Sequence, residues 1–342
     1  MKKLLYIAVI CLLAVAFGTL PDDEVYVPVP KNWPKPAYDF SGNPITKEKI
    51  LLGRALFYDP LLSADGSVSC ASCHSPYNAF THTDHKVSHG IYDRIGTRNA
   101  PALQNLAWST TFMWDGAVHH LDAQALAPIH NKDEMDETIT HVVQKLNASQ
   151  LYRGAFYRAY GDSIVTGTQV LKVMSQFMLT LVSQNAKYDK VMRSEQVFTE
   201  SETKGYELFK QHCASCHKEP LFTNNGFENN GLQPDSIYKD GGRIKVTHRE
   251  KDSLLFKVPS LRNVAVTYPY MHDGRFANLQ MVLFHYTNGI YKSTTLSPRL
   301  KKPIVLSEND KRNLISFLKT LTDESFLHNK DNAYPKDFFT ER

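Results

Sequence analysis

The pentapeptide Cys70-Ala71-Ser72-Cys73-His74 occurs a second time in this chain of 342 residues, as Cys213-Ala214-Ser215-Cys216-His217. Cys-x-x-Cys-His is the attachment signature of a c-type haem. The two thiols share one helical turn, where they can reach the two vinyl groups of one porphyrin, and the histidine that follows supplies an imidazole to the iron. The sequence therefore predicts two covalently bound haems, with His74 and His217 as their proximal ligands.

Two other functions of paired cysteines fit less well. Cys-x-x-Cys pairs that share a zinc ion usually lie about 15–20 residues apart, whereas far more chain separates these two pairs. A thioredoxin-like dithiol needs a strand-to-helix context, which the residues around neither motif provide. The fifth and last cysteine is Cys11, in the N-terminal segment. No other thiol remains for a disulfide or a nucleophile.

The first twenty residues have the pattern of an export signal. Lys2 and Lys3 precede an apolar run over residues 4–17 and a small-residue site, Ala16-x-Gly18, which is typical of a cleaved secretory signal peptide over residues 1–20. An uncleaved N-terminal anchor is the first alternative, because the run is nearly long enough to span a bilayer. Lipidation at Cys11 is the second. Since c-type haem is attached outside the bacterial inner membrane, we expect a periplasmic protein.

Composition and charge narrow the function classes. A hydrophobic fraction of 42% without low-complexity tracts predicts a globular protein of about two domains. The net charge is +4, and two of the positive charges, Lys2 and Lys3, belong to the predicted signal peptide. So small a net charge, without a concentrated basic stretch, gives no support for nucleic-acid binding.

An internal repeat organises the rest of the chain. The segment that begins Ala100-Pro101-Ala102-Leu103 recurs at a shift of 158 positions as Val258-Pro259-Ser260-Leu261. The same shift aligns Met113-Trp114-Asp115-Gly116 with Met271-His272-Asp273-Gly274. Repeats of this kind indicate duplication of one structural unit. We therefore predict two cytochrome c-like haem domains, over residues 21–193 and 194–342.

The predicted secondary structure is all-α. Apolar residues recur every three to four positions from 169 to 192, which predicts one long helix. Capping-box patterns at Thr199-x-x-Glu202 and Ser307-x-x-Asp310 predict the starts of two further helices. Residues 60–69, 75–98 and 223–257 are rich in Gly, Ser, Asn, Asp and His and read as loops.

The repeat also predicts that the two irons differ. The shift of 158 places His285 opposite Ala127 and Tyr286 opposite Pro128. Neither counterpart can bind iron, so the second haem is expected to have a sixth ligand and the first haem to be open. Tyr286 is the favoured sixth ligand. His285 and a nearby methionine such as Met281 stay as alternatives.

Two polar residues lie close in sequence to the open position. A carboxyl group such as that of Glu134 can take a proton from the near oxygen of a peroxide and return it to the far one. The amide of Gln124 can orient the bound oxygen. Glu134 also fits an ordinary solvated charge cluster, and Gln124 a helix surface.

Taken together, these motifs resemble the bacterial dihaem cytochrome c peroxidases, the group that also contains the methylamine-utilisation protein MauG. The resemblance covers nearly all of residues 45–325. It rests on both haem motifs, the stretch Gly96-Thr97-Arg98-Asn99-Ala100-Pro101, Trp114-Asp115-Gly116, Gln124, Glu134-Met135, and the residues from Val258 to Gly274. It implies a peroxidase that reduces hydrogen peroxide to water, with Glu134 and Gln124 at the first haem.

The resemblance implies further roles. Trp114 would lie between the haems and conduct electrons, although it also fits a buried core aromatic. A calcium ion would bind between the domains, held by the side chain of Asn99 and the carbonyl groups of Thr267 and Pro269, in keeping with the preference of calcium for oxygen ligands. Asn99 equally fits a turn-capping residue.

Two positions separate members of the family from one another. Many reductively activated peroxidases have methionine as sixth ligand of the second haem, whereas MauG-like members have tyrosine, which Tyr286 matches. A phenolate favours the oxidised iron, where methionine raises the potential. His89 matches a loop histidine that blocks the first iron until the second haem is reduced; its loop also fits a solvated segment.

The expected partners follow from this chemistry. Electrons would come from a small cytochrome c or a cupredoxin, and a homodimer is possible for this family. One rival hypothesis is a MauG-like enzyme that oxidises residues of a partner protein. The other is a dihaem electron carrier without enzymatic activity.

Overall fold

The computed structural model describes Val25 and residues 27–340; the predicted signal peptide and Cys11 lie outside this part. The described chain is helix-rich. Its α-helices, in chain order, are α1 (Lys47–Tyr58), α2 (Cys70–Cys73), α3 (Leu121–Gln124), α4 (Leu126–His130), α5 (Ile139–Ala148), α6 (Gln150–Tyr160), α7 (Gly167–Leu179), α8 (Lys187–Met192), α9 (Glu200–His212), α10 (Ile244–Thr247), α11 (Leu279–Asn288), α12 (Glu308–Lys319), α13 (Glu324–Leu327) and α14 (Lys336–Thr340).

Both predicted capping boxes are confirmed. Thr199 accepts a hydrogen bond from the Glu202 amide at the start of α9, and the Glu202 carboxylate accepts one from the Thr199 amide. Ser307 and Asp310 make the same reciprocal pair at the start of α12. Each box satisfies two amide groups that a helix N-terminus otherwise leaves without partners.

The prediction of one long helix over residues 169–192 is wrong, because α7 ends at Leu179 and α8 begins at Lys187. The Asn105 amide donates to the Leu181 carbonyl, and the Ser183 amide donates to the Asn105 side chain. Asp323 accepts hydrogen bonds from the amides of residues 184 and 185. These long-range bonds replace the helical ones, so tertiary contacts override a correct local periodicity.

Two helix crossings anchor the two haem motifs, and each depends on a glycine. A Cβ atom on Gly53 of α1 would stand 1.8 Å from the Val173 carbonyl oxygen of α7. A Cβ atom on Gly205 of α9 would stand 2.0 Å from the Asn313 carbonyl oxygen of α12. No side chain fits at either point, so glycine alone lets the backbones approach this closely.

The backbone repeats several unusual features 158 positions apart. Asn105 and Asn263 both adopt the left-handed conformation, and each starts a short 3₁₀ helix. Met113 and Met271 both have positive φ angles. Short antiparallel bridges join Phe112 to Val118 and, at the same shift, Tyr270 to Phe276.

The described chain also contains one small ladder inside the segment expected to be a loop. Strands β1 (Phe227–Glu228) and β2 (Phe256–Lys257) pair antiparallel, with Phe227 opposite Lys257. The Lys257 amide donates to the carbonyl of Trp114, at 2.7 Å. The ladder thereby brings a lysine of the second half against the first.

The end of the chain packs on the first half. Phe326 and Leu327 join a buried cluster with Phe57, Phe80 and Phe177, and Phe338 joins the cluster that surrounds α1 and α6. No helix among the described residues is both long enough and apolar enough to cross a membrane.

Candidate haem sites

The first motif holds its histidine in one defined state. Cys70 and Cys73 lie on the single turn of α2, and the His74 amide closes that turn by donating to the Cys70 carbonyl. The His74 Nδ1 atom lies 2.6 Å from the Phe80 carbonyl oxygen, which can only accept. Nδ1 therefore carries the proton and Nε2 keeps its lone pair for a metal. Burial lowers the His74 pKa to about 4, so the ring is neutral.

The second motif has the same design. The His217 amide donates to the Cys213 carbonyl, so these residues also form one helical turn, directly after α9. The His217 Nδ1 atom lies 3.1 Å from the carbonyl oxygens of both Phe222 and Pro259. Burial lowers the pKa of His217 as well. Two neutral imidazoles with a free Nε2, each beside two thiols, fit two c-type haems.

A cavity of about 340 Å³ lies at the second motif and gathers most of the predicted residues. It is lined by Cys213, Cys216 and His217. The other predicted residues on its wall are Asn99, Trp114, Gln124, Thr267, Pro269 and Tyr286. The residues of the first motif and Glu134 are not part of this wall.

The three candidates for the sixth ligand of the second haem lie in different surroundings. Tyr286 lines the cavity, and burial raises its pKa to about 12. The His285 Nε2 atom lies 3.0 Å from the Asn230 carbonyl oxygen, outside the cavity wall. Met281 is 41% exposed and is also not on that wall. Of the three, Tyr286 is the one that the fold turns toward the cavity.

The polar groups of the cavity fit a cofactor that carries carboxylates. The Lys257 Nζ atom donates to the Thr111 carbonyl at 2.6 Å, and burial lowers its pKa to about 8. The Ser297 hydroxyl lines the same wall and has no hydrogen-bond partner within the described chain. Buried groups of this kind are costly unless a ligand satisfies them. A haem brings two propionates, and Lys257 and Ser297 can donate to them.

Glu134 lies near the first motif. Its Oε1 atom accepts a hydrogen bond from Asn131 at 2.9 Å, and burial raises its pKa above the usual value for glutamate. Burial and then the nearby Glu134 charge raise the pKa of the Cys73 thiol to about 11. Glu134 is therefore within electrostatic reach of the first haem motif and is inclined to hold a proton.

Gln124 occupies a different place from Glu134. It ends helix α3 and lines the cavity of the second motif. Its Nε2 atom lies 3.8 Å from the Met113 sulfur. The structure therefore places this amide at the cavity of the second motif, whose wall includes no residue of the first motif.

His89 lies in a loop over the first motif. The Cys73 thiol lies 3.8 Å from the His89 carbonyl oxygen. The His89 Nδ1 atom lies 3.0 Å from the Asp93 carboxylate, and its ring stacks on His85 with the ring centres 4.2 Å apart. The next residue, Gly90, has no room for a side chain, since a Cβ atom would stand 2.2 Å from the Asp133 carbonyl oxygen.

Trp114 and Asn99 are directly connected. The Trp114 Nε1 atom donates to the Asn99 carbonyl at 2.8 Å, while the Asn99 side chain donates to the Lys86 carbonyl at 3.0 Å. The Asn99 amide donates to the His272 carbonyl, across the two halves. With its nitrogen engaged, the Asn99 side chain offers its oxygen to a cation.

Two functional candidates were absent from the sequence prediction. His272 lines the cavity and stacks on Phe256 with the ring centres 3.7 Å apart; burial lowers its pKa to about 4. Its signal was present, because the shift of 158 aligns His272 with Trp114. Lys257 could not be recognised from the sequence, because nothing in the sequence distinguishes it from an exposed lysine.

Comparison with known proteins identifies the family. The family model for di-haem cytochrome c peroxidase matches residues 47–197. The methylamine utilization protein MauG of Methylorubrum extorquens is 38% identical, over 86% of this chain and 83% of the relative. The chain belongs to the di-haem cytochrome c peroxidase family. The resemblance drawn from the motifs is thereby confirmed.

Other members of the family show the same likeness. The cytochrome c551 peroxidase of Nitrosomonas europaea is 34% identical, over 80% of this chain and 79% of the relative. The crystal structure of a MauG-like protein associated with microbial copper homeostasis is 32% identical in sequence and has a TM-score of 0.81, covering 90% of this chain and 98% of that chain.

Proposed function

We propose that this protein is a di-haem peroxidase that reduces hydrogen peroxide to water with electrons from a small redox protein. One asymmetry carries this proposal. Both motifs hold a neutral histidine ready for iron, but the second has Tyr286 on its cavity wall and the first has the half-buried carboxyl group of Glu134 nearby. One site is equipped for electron transfer and the other for peroxide.

The haems have defined anchors in this scheme. Cys70, Cys73 and His74 hold the first, and Cys213, Cys216, His217 and Tyr286 hold the second, with Lys257 available to a propionate. When bound, the haems supply redox-active iron for cleavage of the peroxide bond. Hydrogen peroxide takes up two electrons and two protons and leaves as two water molecules.

The remaining residues act on protons and electrons. Glu134 accepts the proton of the near peroxide oxygen and returns it to the far oxygen, which must leave as water. Its raised pKa suits this exchange. The family resemblance is what supports Gln124 as the residue that orients the substrate, since the structure places it on the cavity of the second motif, and Trp114 conducts electrons between the halves. Trp114 lies on the wall shared with the second motif, in support of that role.

We also propose the wider organisation. The unusual backbone features that recur at a shift of 158 support an internal duplication, with domains over residues 21–193 and 194–342. Export to the periplasm agrees with the composition of residues 1–20. Calcium bound by Asn99, Thr267 and Pro269 agrees with their common place on the cavity wall. His89 is proposed as a removable ligand of the first haem.

Substitution Glu134→Gln tests the peroxidase proposal. The variant should lose about 10²–10⁴-fold in peroxide turnover, since an amide cannot shuttle a proton. Stopped-flow rates and the absorption spectra of both haems check this, with the exposed neighbour Asp133→Asn as the matched control. In the wild type, turnover should fall as pH falls through the raised pKa of Glu134, and this limb should vanish in the variant. Near wild-type turnover in Glu134→Gln contradicts the assignment.

A second function is favoured by Tyr286. MauG-like oxidation of residues in a partner protein would use the same sites, and tyrosine at this position agrees with it. Mass spectrometry of proteins captured from the periplasm, with and without peroxide, distinguishes the two. A specific partner that changes mass, together with negligible oxidation of ferrocytochrome, favours the MauG-like activity.

A further inference from the structure

A basic loop forms the outer wall of the second haem cavity. Residues 289–307 contain four cationic side chains and no acidic one. The apolar side chains of Leu300, Ile304 and Leu306 line the cavity. The side chains between them face solvent, namely Lys301, Lys302 and Val305, of which Val305 is 84% exposed. A single layer of chain thus separates the cavity from solvent.

The loop is fixed in place. The Ser297 amide donates to the Asn229 carbonyl at 3.0 Å, and the Thr295 hydroxyl donates to the Ser253 carbonyl at 2.7 Å. The Leu300 amide closes a turn on the Ser297 carbonyl. The cations therefore stand on a preformed surface rather than on a free segment.

This surface adjoins the second motif. Arg299 lies on the cavity wall with Cys216, and so does Glu228, its hydrogen-bond partner. The basic loop therefore borders the same cavity as the thiols and the histidine of the second motif.

Three acidic side chains close to the loop have partners of their own. Glu228 accepts a hydrogen bond from Arg299 at 2.9 Å, and Glu308 pairs with Lys311 at 2.7 Å. Asp310 is engaged by Ser307 in the capping box of α12. Lys292, Lys301 and Lys302 stay exposed, so the surface presents an excess of positive charge.

We propose that residues 289–307 form the docking surface for a small electron-donor protein whose own docking face is acidic. Opposite charges steer the encounter and hold the redox edges together, and like charge repels a basic donor. Val305 supplies an apolar contact at the centre. This inference rests on the proposed peroxidase function and specifies the partner of the second haem site.

The test measures kcat/KM of the holoenzyme with two forms of one electron donor. A small c-type cytochrome is used in its native basic form and after succinylation of its lysines, which makes it acidic, with hydroquinone turnover as the reference rate. The acidic form should have the higher kcat/KM, falling as salt is raised because salt screens exposed charges. Lys301→Glu/Lys302→Glu should reduce that kcat/KM about tenfold or more at low ionic strength.

A matched variant controls for net charge. Lys330→Glu/Lys336→Glu changes the same charge on the C-terminal segment packed against α1 and should leave kcat/KM for the acidic donor unchanged. Preference for the basic donor, or equal effects in the two variants, overturns the docking proposal. If the wild type does not reduce peroxide even with hydroquinone, the peroxidase function itself fails.

Discussion

The two haem motifs of this protein have the same five residues and nearly the same geometry, yet their surroundings differ. Both histidines donate Nδ1–H to a backbone carbonyl. The helix that precedes each motif, α1 or α9, crosses a second helix at a glycine. Around the second motif the fold places Tyr286, Lys257 and a basic loop. Around the first it places Glu134 and a histidine loop. The pentapeptide determines the cofactor, and the distant residues determine what each cofactor can do.

The largest expected change in this comparison comes from Tyr286→Phe. Removal of the hydroxyl should convert the second haem to a five-coordinate spectrum and leave the first unchanged, because Tyr286 lines the cavity of the second motif. EPR and absorption spectra of the resting protein measure it, with the exposed Tyr291→Phe as control. An unaltered second haem would assign the ligand to another residue.

The two glycine crossings should be equally intolerant of substitution. Gly53→Ala and Gly205→Ala each place a methyl group against a backbone carbonyl, so each should cost about 3 kcal/mol in free energy of unfolding. Chemical denaturation measures this, with Gly42→Ala as control because a Cβ atom there meets nothing within 4 Å. If only one crossing is sensitive, the two halves do not share this element of their packing.

A smaller effect is expected from Lys257→Met. Loss of a positive charge beside the second haem should lower its midpoint potential, because the cation favours the reduced, more negative form. Lys257→Arg keeps the charge and should keep the potential. Spectroelectrochemistry resolves the two haems. Equal midpoint potentials in Lys257→Met and the wild type would show that the Lys257 charge does not act on the second haem.

Local patterns made the sequence prediction succeed, and long-range contacts made it fail. The thiols at their motifs and the caps at Thr199 and Ser307 depend only on neighbouring residues, so sequence suffices. The helix over 169–192 failed because Asn105 and Asp323 compete for its backbone, and both are distant in sequence. Lys257 was missed for the same reason, since its burial depends on a contact with Thr111.

The packing of α13 and α14 on the first half makes the first haem motif dependent on residues that are distant in sequence. Phe326 touches the ring of Phe80, whose carbonyl orients His74, and Arg54 of α1 donates to the Ala333 carbonyl. A chain that stops before α13 would keep every residue of both motifs, yet it would lack part of the core behind the first. The segment from α13 to α14 thus completes the hydrophobic core behind the first motif, although it contains no residue of either motif.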